Sequence, residues 1–208
     1  MLLYLIRHAE SVSNAAGRVQ GHSDVALSDR GRRQAEALAA ALGRLPIEAI
    51  YASPLRRAVE TAQPLAAVLG LPIRTDPRLM EINAGVFQDH LRRELDLLFP
   101  ADYARWKSGD PDFVVPGGES RRQLTARAKE AFDAIETAGH AQAVVVSHGG
   151  LIGAGLKALL EIPAWRNPFV FENASISRLE REQNQVRLLS LNEVEHLREA
   201  GLAGTGDF

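Results

Sequence analysis

Two histidines stand at the ends of two short apolar segments, and each arrives in company suited to an anion. MLLYLIRHAES carries Leu2, Leu3, Tyr4, Leu5 and Ile6 into Arg7 and His8; AVVVSHGG carries Ala143 to Val146 into His148, Gly149 and Gly150. Both runs have the length and apolar continuity of strands buried on both faces. A strand of an open α/β sheet presents ligand-binding residues just beyond its carboxyl end. Arg7 and His8 taken alone read as a chain returning to solvent; the second strand, ending at His148, changes that reading.

The chemistry follows from the residue types. Imidazoles beside Arg7 have their charged forms disfavoured, so at neutral pH at least one stays neutral and nucleophilic. Arginine next to an uncharged histidine suits phosphoryl transfer: the planar fork binds non-bridging oxygens while a ring nitrogen attacks phosphorus. Gly149 and Gly150 open a helix whose first N–H groups face the same anion.

The elements that must position these groups are legible in outline. Ala35, Leu38, Ala39 and Leu42 have helical spacing behind Ser28 as N-cap. A strand at 49–52 leads to Ser53-Pro54, a cap followed by proline at the first helical position, and Leu55, Ala58, Ala62, Leu65 and Leu69 continue a helix kinked at Pro64 and stopped by Gly70 to Pro72. Residues 72–75 make a brief strand. From Asp89 to Lys107 a helical pattern is broken at Phe99-Pro100, and residues 109–118, with two prolines and three glycines, form a loop. Helices at 119–138 and 151–160 flank the strand at 143–146, and ISRLERE with QVRLLSL reads as a closing hairpin around Gln183-Asn184. Alternating helices and short buried strands predict a three-layer α/β/α sandwich with a mostly parallel central sheet. Residues 1–208 form a single domain in this reading, with a lid or substrate-specificity segment at about 83–119.

Composition narrows the function. The chain carries 24 Lys+Arg against 26 Asp+Glu, so there is no global positive field for nucleic acid or an anionic membrane. It has no cysteine, which excludes a cysteine nucleophile and thiolate metal ligands. The apolar start is too short to span a membrane and lacks a signal-peptide pattern, giving a cytoplasmic expectation. The tail AGLAGTGDF reads as loosely held.

Several separated motifs together resemble the histidine phosphatase, or phosphoglycerate mutase-like, superfamily. RHAESVSN is similar to its opening R-H-G-E-x-x-x-N; VQGHSDVALSDRGRRQA resembles the loop and helix that follow; SPLRRAVETA is similar to S-x-L-x-R-A-x-x-T-A; LMEINAG, VVVSHGG and LSLNEVEHL resemble its later segments. The resemblance implies catalysis by His8, Glu81, His148, Arg7 and Arg57, with substrate bound by Arg7, Asn14, Gly21, Arg57, Glu81, His148 and Gly149. It implies that His8 becomes a phosphohistidine and that Glu81 protonates the leaving oxygen, then activates water. No metal and no cofactor are needed in that scheme, and the partner is a small-molecule phosphomonoester. Ala9 replaces the usual glycine, with little expected effect; GVFQDH departs from G-x-W-E-G by lacking the Trp-Glu pair and the second glycine.

The compact middle segment resembles the phosphatase branch, hydrolysing small phosphorylated metabolites. The alternatives are a cofactor-dependent phosphoglycerate mutase, a catalytically inactive phosphate-binding or interaction module, and a metal site of His8, His148 and Glu81. The substrate and the oligomeric state stay open, with a homodimer as one arrangement. His22, His90, His140 and His196 read as surface residues, and Glu119 as a helix N-terminal residue near the pocket.

Overall fold

A computed structural model describes residues 1–163, 166–182 and 185–204. β1 (Leu2–Arg7) leads through α1 (Val12–Ala15) and α2 (Asp29–Leu42) to β2 (Ala49–Ala52), then α3 (Arg56–Leu69) and β3 (Ile73–Thr75). The middle segment contains 3-10 turns at Pro77–Leu79, Gly85–Phe87 and Arg92–Glu94, followed by α4 (Leu95–Leu98) and α5 (Pro100–Ser108). After it come α6 (Arg121–Thr137), β4 (Gln142–Ser147), α7 (Gly149–Leu159), β5 (Ile176–Glu182), β6 (Gln185–Glu193) and α8 (Glu195–Glu199).

The sheet order is β3-β2-β4-β1-β5-β6, with β3, β2, β4 and β1 parallel and β5 and β6 antiparallel at one edge. The central strands are continuous apolar runs because they are covered on both faces. Leu3, Leu5, Ala143 and Val145 pack against Ala128, Phe132 and Leu151 of α6 and α7. Tyr4, Ile6, Val144 and Val146 point the other way, onto Leu38, Leu42, Ala62 and Leu65 of α2 and α3. Period-two alternation thus serves two apolar layers at once, as the three-layer expectation requires. Among the described residues no helix is long and apolar enough to cross a membrane.

Local expectations hold in part. Ser28 caps α2 by accepting the N–H of Gly31, and the 89–107 region does break at Phe99. α3 starts later than Ser53-Pro54 suggests, with Leu55 as N-cap, because the Ser53 N–H still donates to Val146 and remains part of the sheet. The helix passes through Pro64 without ending. α6 begins at Arg121 because Ser120 and Gln123 form a reciprocal capping box, leaving Glu119 outside the helix. α7 begins at Gly149, two residues earlier than expected, with His148 as its N-cap residue. The expected turn at Gln183-Asn184 and the end of the tail lie outside the described residues. The start of the tail is held: Leu202 is buried and its carbonyl accepts from Arg30 Nη2 at 2.9 Å.

Candidate active site

Each of the four parallel strands leads to at least one chemical group. β1 ends at Arg7 and His8, β4 ends one residue before His148, α3 following β2 carries Arg57 in its first turn, and the chain leaving β3 reaches Glu81 after the turn at Pro77–Leu79. β1 and β4 are neighbours with Arg7 opposite Ser147, and the His8 N–H donates to the Ser147 carbonyl at 2.8 Å. The two histidines therefore leave the sheet side by side, with ring centroids 5.1 Å apart.

His8 is buried, and its Nδ1 lies 2.7 Å from the Ala9 carbonyl. A carbonyl only accepts, so Nδ1 holds the proton and Nε2 keeps its lone pair. Burial first, then the charges of Arg57 and Arg7, push the His8 pKa well below the ordinary imidazole value. The ring is neutral at pH 7. Its main chain is anchored too: the His8 carbonyl accepts Asn173 Nδ2 at 3.0 Å, and the Ala9 N–H donates to Thr61 Oγ1 at 2.9 Å. The Ala9 methyl is fully buried in a satellite core with Leu27, Ala35, Val194 and Leu197, so it joins the nucleophile loop to α8.

Burial, followed by the charge of Arg57, likewise lowers the His148 pKa well below its usual value. Among the described residues neither nitrogen of its buried ring has a hydrogen-bond partner, a condition that is rare for buried polar atoms outside ligand sites. Arg57 is completely buried; its Nη1 and Nη2 donate to the Ser23 and Gly21 carbonyls, each at 2.8 Å, while its Nε has no partner among the described residues. Burial lowers its pKa to about 10, so it stays cationic at pH 7. Arg7 Nη1 donates to the Phe171 carbonyl at 2.6 Å. The Glu81 carboxylate accepts the N–H of Ile82 at 2.8 Å and of Gly150 at 3.1 Å.

A cavity of about 470 Å³ brings together Arg7, His8, Asn14, Gly21, Arg57, Glu81 and Gly149. His148 is the predicted site residue that is not on its wall. Asn14 does reach the wall, yet its Oδ1 is engaged locally, accepting from Ser11 and from Asn173 Nδ2. Gly21 has φ +52°, and a side chain there would run into Gln88 and Ala84. Phe87, Tyr103, Trp106, Phe169 and Phe171 form an aromatic outer wall, with Arg18 and Arg92 beside it. Much of that wall comes from the middle segment, which has its own small core of Ala84, Phe87, Leu95, Phe113 and Val115.

Some residues were misplaced by sequence alone. His22 is not a surface residue: it is half-buried, and its Nε2 donates to the Glu81 carbonyl at 2.8 Å. His196 is partly buried against the Ala174 carbonyl at 3.1 Å. Glu119 is not on the cavity wall but paired with Arg127. Asp89 has φ +66° where the resembling motif has its second glycine, so the turn survives through an aspartate's tolerance of the left-handed region. Asn173 gave no signal, since an amide 165 positions from His8 has no local signature, and Gly150, read as part of a helix start facing the anion, gave none of its contact with Glu81. Among the described residues no three His, Cys, Asp or Glu side chains cluster as a metal site requires, so the reading of His8, His148 and Glu81 as metal ligands fails on geometry.

The family model of the histidine phosphatase superfamily, branch 1, matches residues 3–194. The chain belongs to the histidine phosphatase superfamily. Among relatives of this superfamily, the probable phosphoglycerate mutase GpmB of Erwinia tasmaniensis is 35% identical over 188 residues, 88% of this chain and 86% of the relative. Similar solved structures include a putative α-ribazole-5'-P phosphatase from Escherichia coli, with TM-score 0.86 and 26% identity over 93% of this chain and 96% of that one. The mycobacterial glucosyl-3-phosphoglycerate phosphatase has TM-score 0.82 and 32% identity over 92% and 98%. A phosphoserine phosphatase mutant from Entamoeba histolytica, in complex with phosphoserine, has TM-score 0.84 and 29% identity over 94% and 98%. Phosphoryl transfer is the chemistry these histidine phosphatase superfamily relatives share in name.

Proposed function

We propose that the protein is a phosphomonoesterase that hydrolyses small phosphorylated metabolites through a phosphohistidine on His8. The observation that carries this reading is the His8 ring: neutral, with its proton held on Nδ1 by Ala9, and set between Arg7 and Arg57 on the cavity wall. Nε2 attacks phosphorus as the bond to the leaving oxygen breaks, and the Glu81 carboxyl gives that oxygen its proton. The Glu81 carboxylate then takes a proton from water as the water oxygen attacks phosphorus and the P–N bond breaks. Phosphate leaves and His8 is restored.

Arg7 and Arg57 supply fixed positive charge to the equatorial oxygens, and the ring of His148, off the wall but with its centroid 5.1 Å from that of His8, is the neutral N–H donor beside the nucleophile. No step calls for a metal ion. The middle segment acts as a lid whose aromatic wall selects the leaving group and excludes water. Asn14, Gly21 and Gly149 shape the phosphate end.

A phosphoglycerate mutase is the second reading, favoured by the names of the curated relatives. The two differ in the fate of the phosphoryl group. Phosphate release is to be measured over a metabolite panel, with and without EDTA, beside a bisphosphoglycerate-dependent isomerisation assay, for the wild type and for His8→Ala and Glu81→Gln. Release of free phosphate that resists EDTA and disappears in His8→Ala is the expected result. Isomerised product without phosphate release would make it a mutase, and full turnover by His8→Ala would end the covalent mechanism.

A further inference from the structure

The segment that carries Glu81 is held in place by one guanidinium from another layer of the fold. Arg127, on α6, donates from Nη1 to the carbonyls of Arg78 at 2.9 Å and Met80 at 2.6 Å, and from Nη2 to the carbonyl of Glu81 at 2.7 Å. The rest of the fork meets Glu119: Nη2 on Oε1 and Nε on Oε2 at 3.1 Å. Glu119 in turn accepts the Asn83 N–H on Oε1 at 2.8 Å, while its own N–H donates to the Asn83 carbonyl at 3.0 Å. Both side chains are largely shielded, at 19% and 15% exposure. Neither is on the cavity wall.

We propose that Arg127, oriented by Glu119, is the positioning residue for the Glu81 carboxylate. The inference rests on Glu81 being the acid of the reaction proposed above. Residues 78–83 lie outside the sheet, so their carbonyls have no ladder partners. A planar five-donor fork satisfies three of those carbonyls at once and still spans a carboxylate. His22 Nε2 also donates to the Glu81 carbonyl, so the backbone of the acid is held by two donors. The Glu81 side chain has only its own torsions between that fixed carbonyl and the Gly150 N–H. A shift of about 1 Å at the backbone therefore carries the carboxyl out of line with the leaving oxygen, a displacement of the kind that costs about 100-fold in rate.

The test uses leaving groups that differ in their need for a proton. Phenyl phosphate needs protonation as its P–O bond breaks; 2,4-dinitrophenyl phosphate does not, and kcat/KM reports the first phosphoryl transfer for both. Arg127→Ala is expected to lower kcat/KM on phenyl phosphate by roughly 10- to 100-fold, within the range of general acid catalysis, with little change on the dinitrophenyl ester. Arg127→Lys recovers part of the loss, and Arg127→Ala adds no further leaving-group dependence in a Glu81→Gln background. Equal losses on the two esters would overturn the proposal. If Arg127→Ala does not fold, Glu119→Gln, which keeps the shape and removes the anion, is expected to show a smaller loss of the same selectivity; wild-type selectivity in that variant would equally overturn it. Glu81→Gln that loses nothing selectively would refute the acid assignment itself and the positioning role with it, whereas selective loss in Glu81→Gln alone would refute only the role of Arg127.

Discussion

Glu81 and Gly150 are joined across the site: the Gly150 N–H at the start of α7 donates to Glu81 Oε2 at 3.1 Å. A side chain at position 150 would fall on that carboxylate. Gly150→Ala is therefore expected to displace Glu81 and lower kcat by at least about 10-fold, since catalytic groups tolerate little misplacement. Stability moves the other way or stays level, because alanine is the better helix former by up to about 1 kcal/mol. Thermal melts beside phosphate-release rates check the pair of signs; a fully active variant would show that the carboxylate need not stand there.

Arg57 serves the fold and the chemistry together. Arg57→Ala removes the donors to the Gly21 and Ser23 carbonyls and leaves a buried void, a change expected to cost about 3 kcal/mol. Arg57→Lys keeps a cation but loses the fork, so more of the stability than of the activity should return. Denaturant midpoints and rates on the same preparations measure both.

Acid should destabilise the protein before its carboxylates titrate. His8 and His148 both have folded pKa values well below the unfolded value near 6.5, chiefly through burial. The unfolded chain then binds more protons, so stability is full above about pH 6.5 and is lost as pH falls from there through the folded values. The slope in that window is up to about 1.4 kcal/mol per pH unit for each imidazole. His148→Asn should reduce the slope measured by urea unfolding between about pH 6.5 and 5; an unchanged slope would mean that His148 is not held neutral.

Trp106 connects the middle segment to the body. It lines the cavity, lies 6.3 Å from the Phe87 ring, and has the Arg121 guanidinium 4.0 Å over its own ring. Trp106→Ala is expected to raise KM for substrates with bulky leaving groups more than for small ones, while kcat on small ones changes by less than about threefold. A uniform fall in kcat would place Trp106 outside leaving-group recognition.

The chemistry of the strand ends was legible because it is local. Arg7, His8, His148 and the glycine pair follow their strands directly, and continuous apolar runs announce strands covered on both faces. Arg57 and Glu81 were found through motif resemblance, since neither has a spacing of its own that points to a site. The tertiary structure decided which groups meet. Register between β1 and β4 set the two histidines side by side; Ala9 fixed the His8 tautomer; Asn173, 165 positions away, anchored its carbonyl. Arg127 and His22 were invisible as supports because their partners are backbone carbonyls, and a carbonyl carries no residue identity for a sequence to display.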